Sequence, residues 1–245
     1  MIPIGDDNTD LRIRPYVTWL LLAANVFVFV FLQGLGSNER FTMAFATVPA
    51  EILTGRDIAQ TIPVRDEYGR PVGEVEIPPT PIPVYFTLVS AMFMHGSLMH
   101  LLGNMLYLWI FGDNLEDALG HGRYLVFYLL TGVLASLAHV FVTAFFGGNA
   151  LIPSLGASGA ISGVLGGYIV LHPQRRVRVL WMYQVMHVPA LVAIGIWFLF
   201  QLISGAGSLG AAGGGVAYGA HIGGFVAGAV LVKMFVPRRA AFQVV

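Results

Sequence analysis

At 245 residues the chain could hold one or two soluble domains, yet 56% of its residues are hydrophobic and only 11% charged, less than half the ~25% charge of a soluble domain. Zero net charge gives no electrostatic case for a nucleic-acid partner, and the absence of cysteine excludes disulfides, thiolate catalysis and cysteine-ligated metals. With a mean hydropathy of +0.75 and several apolar runs near the ~20 residues that cross a bilayer, the chain reads as an all-α, polytopic membrane protein of six spans.

Met1–Arg14 is a polar tail with Asp6, Asp7, Asp10, Arg12 and Arg14. The first predicted span, Val17–Leu35, is too long for a signal-peptide core and is followed by no small-residue cleavage motif, so it reads as retained. A long polar loop, 36–85, follows. Gly36–Pro83 holds seven acidic residues and four arginines, and its Ile77–Pro83 end is proline-rich and expected to be extended. Short apolar pairs within Thr61–Ile77, around Glu67-Tyr68-Gly69-Arg70, fit a small hairpin.

The remaining predicted spans are Leu98–Phe111, ending at Gly112-Asp113-Asn114; Tyr124–Phe146; Ser158–Leu171, stopped by His172-Pro173; Val188–Ile203, followed by glycine-rich Ser204–Gly215; and Val216–Val236, stopped by Pro237. The whole chain, 1–245, is expected to be one membrane domain with its core over about 15–236. Glu116 and Asp117 fall in the loop after the second span, where they are expected to order it with Arg123. Placing both termini inside puts Arg123, Arg175, Arg176, Arg178, Arg238 and Arg239 on the inner face, consistent with the positive-inside rule. Spans 2, 4 and 6 then all run inward, and the polar groups at their starts share one depth, toward the outer leaflet.

Those groups carry the chemistry. Ser158 lies between glycines at the head of the fourth span, where the unpaired N–H groups of a helix start face whatever reacts with it. A serine hydroxyl needs a base, and His221 opens the sixth span. The series Gly159, Gly163, Gly167 and the series Ala220, Gly224, Gly228 allow close backbone approach. On that reading the same glycines that pack the two helices bring imidazole to hydroxyl, although packing alone would also account for Gly156, Ser158 and Gly159. His100 and Asn104, four apart, share a helix face and can donate hydrogen bonds to a developing oxyanion. Gly103 beside them leaves room for close approach. His95 is assigned to structure or the site rim, His139 to a core hydrogen bond, and His121, His172 and His187 to the interface.

Three stretches, His95-Gly96-Ser97-Leu98-Met99-His100-Leu101-Leu102-Gly103-Asn104, Gly156-Ala157-Ser158-Gly159 and Ala220-His221-Ile222-Gly223-Gly224, resemble the signatures of the rhomboid family of intramembrane serine proteases over about Phe86–Val230. The resemblance implies a dyad of Ser158 and His221, and an oxyanion hole from His100, Asn104 and the Ser158 N–H. It places Gly103, Gly156 and Gly159 beside the substrate and requires no metal or cofactor. It also implies cleavage of transmembrane helices of membrane protein substrates within the lipid bilayer, in a bacterial inner membrane. Two positions depart from the family pattern. Phe86 and Thr87 stand where many members have Trp-Arg, and Ser162 stands where some place an aromatic ring on the base.

Other classes fit less well. A six-span transporter would spread polar groups through the midplane, and a client-binding relative without activity would lack Ser158 or His221. Metal and aspartyl intramembrane proteases would need H-E-x-x-H or paired aspartates, and neither is present.

Overall fold

The computed structural model describes residues 2–65, 70–146, 149–208 and 217–237. The chain is mostly helical. It is not purely so: among the described residues, five short strands depart from the all-α expectation. Strand β1 (Ile2–Asp6) leads into α1 (Tyr16–Phe27), which continues as a π turn, Val28–Leu32, and a 3-10 turn, Gly34–Gly36. The expected first span is therefore broken at Gln33. That buried side chain explains its place in an apolar run: its amide donates to Thr42 Oγ1 and His95 O, both at 2.8 Å, and accepts from the His95 N–H at 3.0 Å.

Helices α2 (Glu39–Ala44) and α3 (Pro49–Thr54) precede strands β2 (Gln60–Arg65) and β3 (Pro71–Ile77), which pair antiparallel with Ile62 facing Val75. Most of the Glu67–Arg70 turn lies outside the described residues. Two 3-10 turns flank α4 (Thr87–Ser90), and the segment Val84–Phe93 meets α5 (Leu98–Leu119) at 81°. Ser97 caps α5, its Oγ accepting from the His100 N–H at 3.1 Å.

Helix α5 does not stop at Gly112-Asp113-Asn114 but runs two turns further, so Glu116 and Asp117 lie on a helix and not in a loop. Their partners also differ from the expected Arg123. The fully buried Glu116 carboxylate accepts from the backbone N–H of Val17 (2.9 Å) and Thr18 (2.7 Å), from Thr18 Oγ1 (2.8 Å), and meets His121 Nδ1 (2.5 Å). Asp117 accepts from the N–H groups of Arg12 and Ile13 and pairs with the Arg12 guanidinium. An α1 start with no cap of its own is thus satisfied by carboxylates from another helix, where the negative charge also suits the helix dipole.

Helices α6 (His121–Phe146) and α7 (Ser158–Leu171) follow, then strands β4 (Arg176–Trp181) and β5 (Gln184–Pro189), and helices α8 (Ala190–Ser208) and α9 (Tyr218–Phe235). Strands β1, β4 and β5 form one antiparallel sheet in that order, with Ile2 opposite Leu180 and Arg178 opposite His187. Val188, expected to start the fifth span, is in β5, and α8 reaches into the glycine-rich segment as far as Ser208. Among the described residues, α6, α8 and α9 are each long and apolar enough to cross a membrane, and the bent Val84–Leu119 pair makes a fourth candidate. Tyr16–Leu32 and Ser158–Leu171 are shorter apolar helices. Exposed Phe145, Phe200, Ile203, Val230 and Met234 present apolar side chains outward from these helices.

Helix α7 is the centre of the bundle. Ten of its fourteen residues are buried, from Gly159 to Tyr168, against α5, α6, α8 and α9. Small residues make this closeness feasible. A Cβ at Gly228 would lie 2.0 Å from Gly163 O, and one at Gly166 would lie 2.0 Å from Phe225 O. The α7 glycines divide their work. Their carbonyls meet α9, while Cβ atoms at Gly159 and Gly163 would strike Ala135 and Thr131 of α6. Tyr124, Phe127, Tyr128, Leu108 and Leu115 fill the remaining core.

Candidate active site

Ser158 is the first residue of α7, and Ala157 before it supplies no side-chain cap to the first-turn N–H groups. His221 lies in the first turn of α9. Close packing of α7 on α9 brings His221 Nε2 within 2.8 Å of Ser158 Oγ. Both side chains are half-buried and line a cavity of about 1170 Å³ with His100, Asn104, Trp197 and Tyr218.

His100 and Asn104 reach the same cavity from α5. The His100 ring packs against Gly156, where a Cβ would fall 2.8 Å from the imidazole, and Gly156 takes φ +124°, a conformation suited to glycine. Asn104 is buried, and its Nδ2 donates to no group among the described residues. A buried donor left unpaired is costly unless a ligand or reaction intermediate uses it.

The glycines named from sequence separate. Gly103 lines the cavity, and nothing lies within 4 Å of its would-be Cβ. Gly156 shapes the seat of His100. Gly159 faces Ala135 and Ala220 inside the bundle and is not among the cavity-lining residues. His95 is wholly buried, its backbone tied to Gln33 and its ring 5.2 Å from that of His100. His139 stands on the cavity wall, not in the core.

One residue was missed. Gln201 of α8, 7% exposed, meets His221 Nδ1 through Oε1 at 2.8 Å. The rings of Trp197 and Tyr218 stand 6.2 and 6.3 Å from the imidazole. Ser162 does not support the ring. Its hydroxyl donates to Ser158 O at 2.6 Å on its own helix. A lone amide in the apolar run Ala190–Ile203 was the available signal for Gln201.

The fold and site define an integral, multi-pass membrane protein with a serine and a histidine in hydrogen-bond contact at the mouth of two packed helices. The Rhomboid domain model matches residues 83–238, well over half of the chain, and the protein belongs to the rhomboid family. It is 28% identical over 222 residues to rhomboid protease GluP of Bacillus subtilis, covering 89% of this chain and 35% of that protein. It is also 32% identical over 144 residues to the mitochondrial rhomboid protein 1 of Saccharomyces cerevisiae, covering 58% of this chain and 39% of that one. The human mitochondrial presenilin-associated rhomboid-like protein is 32% identical over 98 residues, 39% of this chain and 24% of that protein. The chain thus matches well under half the length of these relatives.

Proposed function

We propose that the chain is an intramembrane serine endopeptidase that hydrolyses a peptide bond in or beside a transmembrane helix of another membrane protein. The observation that carries this is the 2.8 Å contact between Ser158 Oγ and His221 Nε2 on the wall of a cavity large enough for an extended peptide. In the proposed reaction His221 Nε2 takes the hydroxyl proton as Ser158 Oγ attacks the scissile carbonyl. Asn104, His100 and the Ser158 N–H donate to the resulting oxyanion. His221 then returns the proton to the leaving amine, and water hydrolyses the acyl-enzyme by the same steps.

The proposed setting is six crossings, with both termini on the inner face of a bacterial plasma membrane and loop 36–85 outside. Helix α7 has 14 residues, about 21 Å at 1.5 Å per residue, so it does not fill a ~30 Å hydrocarbon core. Its serine end then lies below the membrane surface, reached by water through the cavity. The test is to incubate detergent-purified protein with a fluorogenic transmembrane peptide and map the cut by mass spectrometry. A cut made by wild type and absent with Ser158→Ala supports the reading, and a substrate left intact by wild type overturns it.

A further inference from the structure

We propose that Gln201 is a positioning residue for the reaction, fixing the tautomer and orientation of His221 through its amide oxygen. This rests on the protease reading above. Imidazole in its neutral form has one N–H and one bare nitrogen, and only the bare nitrogen can accept the serine proton. Gln201 Oε1 can only accept, so its 2.8 Å contact with His221 Nδ1 places the ring proton on Nδ1. Nε2 is left with its lone pair directed at Ser158 Oγ, 2.8 Å away. The reverse tautomer would donate to the hydroxyl and could not act as base.

Three further observations point the same way. Gln201 is 7% exposed on a helix whose neighbouring positions are apolar, where a bare amide is costly without a partner. Nothing on α7 substitutes for it, since the hydroxyl one turn after Ser158 is spent on its own helix. And α8 is held in register at this level. Phe198 stacks on Phe225 of α9 with ring centroids 4.0 Å apart, and Gly205 seats against Tyr218 and Ile222. The amide is thus delivered to the imidazole from a separate helix by packing on both sides. A neutral amide, unlike a carboxylate, orients the ring without placing a second charge in an apolar bundle.

The experiment compares full-length wild type, Gln201→Leu and Gln201→Glu in micelles. Three readouts are taken: kcat and KM on a transmembrane peptide, melting temperature, and the ¹⁵N ring shifts of His221, assigned by difference against His221→Ala. Leucine removes the acceptor. The expected result is a kcat lower by about 10- to 100-fold, less than the ~10²–10⁴ a general base contributes outright, with KM within about twofold. Glutamate keeps an acceptor and is expected to restore kcat to within about threefold of wild type. The wild-type spectrum is expected to show the proton on Nδ1. A wild-type proton on Nε2, a Gln201→Leu enzyme at full kcat, or a Gln201→Glu enzyme as slow as Gln201→Leu overturns the assignment. If Gln201→Leu does not fold, the wild-type spectrum and Gln201→Glu decide it. A wild type that cuts nothing overturns the protease reading instead, while its His221 spectrum still reports the Gln201 contact.

Discussion

Gly224 of α9 lies directly against the carbonyl oxygen of Gly159 of α7: a Cβ at 224 would fall 2.2 Å from that oxygen and 3.1 Å from Ala135 Cβ. Neither neighbour is the flexible end of a long side chain, so the helices themselves must part. Gly224→Ala is expected to lower the melting temperature despite its better helix propensity, because overpacking costs about 1–3 kcal/mol. Gly224→Val is expected to lose more, along with activity, since the same spacing sets the reach of His221 to Ser158. Thermal melts and turnover on one preparation check this. A valine variant as stable and active as the parent would separate the glycine contact from the site.

Ser158→Ala and His221→Ala are each expected to reduce cleavage by at least ~10³-fold while leaving the fold intact, because nucleophile and base act as a unit. Peptide cleavage and a melting curve check both. Retention of about a tenth of the wild-type rate by either variant would remove that residue from its role.

Asn104→Ala deletes a buried donor that has no partner among the described residues. Loss of an oxyanion donor typically costs ~10²–10³ in kcat, so turnover is expected to fall in that range with KM and melting temperature nearly unchanged. Normal kcat with a depressed melting point would mean that the amide only ties α5 into the bundle.

Asp6, outside the apolar helices, gives a pH prediction. Its Oδ2 accepts from Tyr168 Oη at 2.6 Å and from Asn114 Nδ2 at 2.7 Å. Burial pushes its carboxyl up to about 7; the Tyr168 hydrogen bond opposes this, Asp113 adds to it, and Arg175 opposes it. A carboxyl whose folded pKa is raised binds more protons folded than unfolded, so its stabilisation is full below about 3.8 and lost as pH rises through about 7. Asp7 and Asp10, lowered chiefly by hydrogen bonds from Thr9 and Arg175, act with the opposite sign at more acid pH. The Asp6→Asn protein is therefore expected to match wild type near pH 4 and to melt higher than it at pH 8. Melting curves across that range check it. Parallel pH profiles for the two proteins would contradict the assignment.

The parts legible in the sequence were those set by apolar runs and by small residues at fixed spacing. Ser158–Leu171 was bounded by the same residues that bound α7, because a glycine-flanked serine and His172-Pro173 are strong local signals. The departures came where partners distant in sequence decide the structure. Nothing near Asp113 shows that α5 continues to Leu119, since what holds Glu116 in a helix is the start of α1. The sheet was missed in a different way. Arg176-Val177-Arg178-Val179 alternates with a period of two, and the valines are buried, but so short a stretch between two apolar runs gives no sign of the strands on either side that it pairs with. Gln201 went unassigned in the sequence, because its partner His221 is on another helix.

The β1 pairing has a consequence for biogenesis. Strand β1 adds to β4 with Asp6 opposite Val177, and Arg175 binds Asp7 and Asp10. Residues 2–6 therefore have no sheet to join until residues 176–181 have followed them from the ribosome. At ~5–20 residues per second that wait lasts about 10–35 s. Through that interval β1 must be kept from pairing elsewhere, and its docking onto β4 is a late step in assembly.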